Sequence, residues 1–487
     1  MKIHTFLLCL FTTLSALSLF AQYPKDYEPV PIYSDFPSYI AEHMSTQLSE
    51  DLEGIQARGK VKRSLKEVYQ ARHDQLLENV QNGYYIFDDF LFGYCDAIFS
   101  HILDANPQIP RDKVHLILDR STVPNASCWG EGSIVLNTGL LARVDNEAQI
   151  AFVLCHELAH HMQDHVNEEI RRSVKAIYDE EIEEIYSTTE GGFHSKESLE
   201  FVRKSLFDKK RHARLKEFEA DSIGLAYYLN TDYAPVEALG LLRILDEIDD
   251  EKYPSQNDLV QFLDNIGFTY REEWVRYLPD TTFYYQKPAK EWTDSLKTHP
   301  DCAKRIERLA NLLVSQNVGS GGVTTRSTQV ALEELQETLD FELLYSHYYL
   351  GNYGLLIHEG LKLLKVYPES DFVKGILALS FQELAERKAD HRLSTVLATV
   401  NPREGKPYDQ TLHFLYSLRL KYLRRLSQFV VNHWENSLDE NEFLLLAGIL
   451  AAHDQEDFVN RDARLDAYFM KYPEGRFRDV LTSRFPR

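Results

Sequence analysis

Apolar residues are distributed along this chain in three regimes. From Phe6 to Phe20 they form one block rich in Leu, Phe, Ala and Thr, behind Met1-Lys2 and ahead of Ala21-Gln22. A basic start, an apolar block of roughly 15 residues and a small residue before a polar chain read as a secretory signal peptide, cut after Ala21. From Gln22 to about residue 315 apolar positions alternate between helical spacing and short strand-like runs. From Val330 to the end the spacing is helical throughout. The chain therefore divides into a signal peptide at 1–21, a Pro- and Tyr-rich extended arm at 22–46, a mixed domain at 47–315, a linker at 316–329 and a helical domain at 330–487. The linker reading rests on QNVGSGGVTTRSTQ, which has three glycines and no apolar period.

Within the mixed domain, Gln47 to Glu78 predicts one or two amphipathic helices. Tyr84 to Asp104 predicts a buried helix, with Asp88 and Asp89 capping it or facing solvent rather than holding a metal. Val114 to Leu118 and Ser133 to Asn137 predict strands, separated by the turn-rich stretch from Pro124 to Gly132. Residues 151–161, AFVLCHELAHH, lack Pro and Gly and are apolar on both sides of His156, which predicts a buried helix capped by Asp145 or Asn146. An acidic stretch, Tyr178 to Glu184, and a Gly-containing break near Gly191-Gly192 follow; a solvated face explains these acids. The helical domain repeats its punctuation. Tyr367-Pro368, Asn401-Pro402 and Tyr472-Pro473 have prolines 34 and 71 residues apart, the second interval close to twice the first. Helix pairs recurring at about that interval are the pattern of a tetratricopeptide-like solenoid. The fold class is α+β and mainly helical, with a small sheet and then an all-α repeat domain.

Charge narrows the partners. Past residue 21 the chain has 52 Lys and Arg against 75 Asp and Glu. Its long-range field repels nucleic acid and anionic lipid. No later segment has the roughly 18 apolar residues needed for an integral membrane segment. Cys9 leaves with the signal peptide. Cys95, Cys128, Cys155 and Cys302 remain, too few for a disulfide scaffold, and a Cys128–Cys155 bridge is left open.

The chemistry starts at His156 and His160. Four residues apart on a helix, both imidazoles lie on one face and reach one ion, with Glu157 beside them to take a proton from water. HExxH also occurs in helices that bind nothing, so the pattern needs support elsewhere in the chain. Glu217 and Asp221 stand one turn apart in KEFEADSIGLAYYL, 57 residues after His160. A carboxylate from a second helix completes a two-His, one-Glu zinc site with an open position. Asp221 then fixes a ligand tautomer. Read alone, the two acids are equally ordinary surface residues.

Taken together, PNASCWGEGSIVLNTGLL at 124–141, HELAHH at 156–161, EFEAD at 217–221, YAP at 233–235 and THP followed by RI at 298–306 resemble the M48 family of zinc metallopeptidases, specifically its periplasmic, BepA-like group with a C-terminal TPR domain. The resemblance implies a zincin-type domain with one Zn2+ per chain on His156, His160 and Glu217. It makes Glu157 the general base and Asp221 the partner of a ligand. His299 it places at the oxyanion or, at rest, on the open metal position. It also implies that Gly132, Ser133, Ile134, Val135, Leu136 and Asn137 form a substrate-binding edge strand. The function expected is a secreted zinc endopeptidase, periplasmic in a Gram-negative bacterium. It would cut unfolded or misassembled envelope proteins that the repeats recruit, in touch with envelope assembly machinery. The alternative is a chaperone or assembly factor whose proteolysis is gated and rarely used.

Overall fold

Four short strands form an open sheet: Tyr85–Ile86 (β1), His115–Asp119 (β2), Ala126–Cys128 (β3) and Ser133–Asn137 (β4). The structure is a computed structural model and describes residues 27–178, 214–247, 258–276, 302–327, 329–400 and 407–486. The signal peptide at 1–21, the start of the arm, the acidic stretch from residue 179 and the Asn401-Pro402 punctuation lie outside the described residues. The strand order is β1-β2-β4-β3. β2 runs parallel to β4, and β1 and β3 pair antiparallel on the outside. β2 and β4 are buried along almost their whole length, as expected of central strands covered on both faces.

Helices cover the two faces because period-two alternation sends neighbouring residues of each strand to opposite sides. Ile117 and Val135 point toward the helices Ser38–Glu53 (α1) and Gly59–Gln81 (α2). Those helices answer with stripes at helical spacing: Ile40 and Met44 from α1, and Leu76 and Val80 from α2. Leu91–Ala105 (α3) packs against β2 and against Glu147–Met162 (α4), which itself covers β3 and β4. Each fully covered Leu or Ile in such a core contributes about 1.5–3 kcal/mol. Both caps expected from the sequence are present. Asp88 accepts hydrogen bonds from the N–H groups of Phe90 and Leu91, and Asn146 from that of Gln149 at 3.1 Å. Other described helices of this unit include His165–Ile177 (α5), residues 214–229 (α6), Glu237–Asp246 (α7) and Cys302–Ser315 (α8).

The chain divides into two compact units whose limits differ from those drawn on the sequence. One holds the described residues of 30–247 and 302–339. The other holds those of 27–29, 258–276 and 340–486. The arm is helical from Ser38 onward. Residues 258–276, assigned from the sequence to the mixed domain, bury their apolar side chains in the helical unit. Phe262 stacks on Phe381 with rings 5° from parallel, Trp274 meets Tyr422, and Gln410 donates to the Val275 carbonyl at 2.8 Å.

The segment read as a linker is fastened within the first unit. Ala148 N–H bonds the Thr324 carbonyl, and Ala234 and Asp232 exchange backbone bonds with Val323. One of its glycines serves close approach. Gly322 lies at φ 134°, and a Cβ there would stand 2.7 Å from Ala234 Cα.

The second unit is helical. Its described helices include Tyr353–Val366, Asp371–Ala389, Pro407–Ser417, Leu420–His433, Glu442–Asp454 and Phe458–Lys471. Asp371–Ala389 and Glu442–Asp454 are buried on nearly every side and pack on each other. This fits their lack of a polar stripe. No described helix is long and apolar enough to cross a membrane. No disulfide joins Cys95, Cys128, Cys155 or Cys302, so the Cys128–Cys155 bridge is not formed.

Candidate metal centre and catalytic site

Helix α4 is buried from Glu147 to Ala159 and brings His156, Glu157 and His160 to one place. Its first residue is held firmly. The Glu147 carboxylate accepts from the Tyr233 hydroxyl and, at 3.1 Å, from Ser327 N–H. Helix α6 crosses α4 at the first ligand. There Gly224 lies so close that a Cβ would sit 2.9 Å from His156 Cα and 3.0 Å from its nitrogen. Gly224→Ala should force the two backbones apart at the ligand. We expect a loss of about 1–3 kcal/mol of stability together with weaker metal binding at His156, read by thermal unfolding and by metal titration of the same preparation.

The crossing sets Glu217 of α6 opposite the two histidines. Its carboxylate oxygens are each 3.5 Å from one of the Nε2 atoms, and those two nitrogens are 3.1 Å apart. One atom from each of the three residues falls within 4.8 Å of the others; among the described residues no other cluster of His, Cys and carboxylates meets that test. Two imidazoles and a carboxylate, partly open to solvent through Glu217, suit a divalent ion such as zinc with a position left for water.

Behind these three side chains lies a buried ion-pair network. His156 Nδ1 is 3.0 Å from an Asp221 oxygen. Arg305 of α8 grips Asp221 with two hydrogen bonds, of 2.8 and 2.7 Å, and its third nitrogen is 3.3 Å from Glu217. Burial by itself would lower the pKa of His156, but Asp221 and Glu217 overcome it and lift the imidazole to about 10. Burial and the neighbouring His156 push His160 down to about 3. Glu217 is held well below the ordinary carboxylate range: His156, Arg305 and His160 outweigh the cost of its burial. Asp221 is lowered for the same kind of reason, by Arg305 and His156. A ligand set that so favours a proton on His156 also favours a metal cation in its place. Burial raises Glu157 to about 7, where a group can accept and return protons near neutral pH.

The expected substrate strand sits differently. β4 is hydrogen-bonded on both sides, to β2 and to β3, so Ser133 to Asn137 present no free edge. The Ser133 side chain is fully buried, with its hydroxyl 2.7 Å from His115 Nε2, and Gly132 uses its carbonyl on His115 N–H. The outer strand on the side of α4 is β3. Its Cys128 backbone lies close enough to the Glu157 carboxyl to hold that group's pKa down against burial, placing this edge beside Glu157. His299 lies outside the described residues.

Two residues in contact with the cluster escaped the sequence reading. Arg305 lay within a quoted motif but was given no role. His165 was passed over although its ring contacts that of His160, Nδ1 to Nδ1, at 3.0 Å.

Comparison with known proteins agrees with this geometry. Residues 92–313 match the model of Peptidase family M48, so the chain carries an M48-family, zinc-metallopeptidase-like domain. The β-barrel assembly-enhancing protease of Yersinia pestis is 32% identical over 81 residues, 17% of this chain and 16% of that protein. The mitochondrial metalloendopeptidase OMA1 of Bos taurus is 27% identical over 164 residues, 31% of each chain. The matched stretches thus span less than a third of either relative.

Proposed function

We propose that the M48-family domain is a zinc-dependent endopeptidase, with one Zn2+ on His156, His160 and Glu217, acting on unfolded or misassembled proteins of the cell envelope. The observation that carries this reading is the convergence of those three side chains with a buried Glu157 adjacent to them. When bound, zinc would supply Lewis acidity, polarising the scissile carbonyl and lowering the pKa of water at the site. Glu157 takes the proton of the attacking water and returns it to the leaving amine. Asp221, steadied by Arg305, holds the ring of His156. His299 is assigned the oxyanion.

An extended substrate adds to the free edge of β3 and presents its carbonyl toward Glu157, since an outer strand offers unpaired backbone groups and a central one does not. The helical unit is assigned a TPR-like role in client recruitment. Secretion into the periplasm, and a link to outer-envelope assembly, are supported by the apolar N-terminal block and by the name of the Yersinia relative.

The test is cleavage of an unfolded-protein and peptide panel by the purified chain before and after o-phenanthroline. Activity should vanish on chelation and return with about one equivalent of zinc. Cleavage indifferent to the chelator would refute the assignment. A protein that binds zinc, cuts nothing and suppresses client aggregation would favour the chaperone reading instead.

A further inference from the structure

We infer that His165 is a positioning residue for the metal ligand His160, fixing its tautomer and ring orientation through a hydrogen-bonded chain that ends on Glu219. The inference rests on the zinc reading of the site above. His160 turns Nε2 toward Glu217, which leaves Nδ1 on the far side of the ring. There it meets Nδ1 of His165 at 3.0 Å, the rings inclined at 75°. Two imidazole nitrogens at that distance hydrogen-bond only if one of them carries the hydrogen. A ligand must keep a lone pair on Nε2, so neutral His160 carries its hydrogen on Nδ1 and donates it. His165 therefore accepts at Nδ1 and carries its own hydrogen on Nε2, which faces Glu219 Oε2 at 3.4 Å. Every tautomer in the chain is settled once the metal site needs His160 Nε2.

The backbone keeps His165 in place. Asp164 takes a left-handed conformation, φ 55°, which ends α4 and starts α5 so that the next ring turns back under His160. His165 is only 5% exposed. The Lys216 ammonium donates to its carbonyl at 2.8 Å, from the residue preceding Glu217. His165 is thus tied to α4 through His160 and to α6 through Lys216 and Glu219, the two helices that supply the ligands. The two histidine ligands are backed unequally. His156 has an anion behind it, while His160 has a neutral imidazole that passes the contact on to a half-exposed carboxylate.

The test compares zinc affinity, by competition with a chromophoric chelator, and the visible spectrum of the Co2+-substituted full chain, for wild type, His165→Ala and His165→Asn. The Asn side-chain oxygen can take the place of Nδ1 as acceptor, whereas Ala cannot. Loss of an outer partner of this kind weakens metal binding about 10- to 100-fold. That loss and a shifted cobalt spectrum are expected for Ala, with both restored toward wild type in Asn. If Ala keeps wild-type affinity and spectrum, or if a folded Asn protein is as weak as Ala, His165 does not act by accepting this hydrogen bond. If wild type itself binds no zinc, the metal reading beneath the inference fails and takes the inference with it. Circular dichroism of each variant establishes folding, and the Asn protein keeps the comparison decisive should Ala misfold.

Discussion

Glu157→Gln is expected to keep its zinc and lose peptide cleavage by a factor on the order of 10²–10⁴, the usual contribution of a positioned general base. The amide matches the carboxyl in size and leaves α4 packed as before, with His156 and His160 still facing Glu217. What disappears is the ability to take a proton. The side chain is 8% exposed, and burial raises the pKa of its carboxyl above the ordinary value. Steady-state cleavage of a fluorogenic peptide, with zinc measured in the same sample, checks both halves. A variant with wild-type turnover would remove Glu157 from the mechanism; a variant that had lost its zinc would make it part of the metal site's structure.

Arg305→Leu should be the most destabilising single change at the site, costing about 3–5 kcal/mol, because removing one partner of a buried ion pair leaves the other charged and unpaired. Arg305 is 2% exposed and faces two carboxylates at once, Asp221 through two hydrogen bonds and Glu217 at 3.3 Å. Asp221, 1% exposed, cannot regain water without opening the α6–α8 contact. Arg305→Lys should recover only part of the loss, since an ammonium cannot reproduce the two-pronged grip on Asp221. Pairing Arg305→Leu with Asp221→Asn should cost less than the two single changes added together. Calorimetric unfolding of the zinc-free proteins measures all three. A stability within 1 kcal/mol of wild type for Arg305→Leu would show that the network contributes little.

Local chemistry was legible in the sequence, and long-range placement was not. The ligand helix could be read because HExxH is a contiguous pattern, and Asn146 and Asp88 because short polar side chains cap the helix that directly follows them. β2 and β4 were visible as alternating and continuous apolar runs. Their order in the sheet was not, since nothing within SIVLN records which neighbours pair with it. The three residues of β3, set between turns, carry too little pattern to announce an edge. Arg305 looks like one basic residue among several on an amphipathic helix, and its partner Asp221 is 84 residues away. His165 stands five residues past His160, outside the spacing that puts side chains on one helical face; only the left-handed Asp164 brings the rings together. The glycines near 320 have the composition of a flexible tether, yet Gly322 is there because the backbone of Ala234 lies against it.

Neither compact unit is continuous along the chain, and this bears on how the protein can be made and divided. The ribosome delivers β-sheet, ligand helix and α6 first, then Phe262 and Trp274, whose packing partners lie between Phe341 and Leu481, and only afterwards Arg305. When α6 is complete Asp221 and Glu217 still wait for their guanidinium, and the aromatic side chains of 258–275 wait longer for a core to enter. A chain ended at residue 329 would keep every ligand and still carry Phe262, Leu263 and Trp274 with nowhere to go. Synthesis order thus gives the chain a long interval in which it is itself an unfolded protein, the same class of molecule it is proposed to cut.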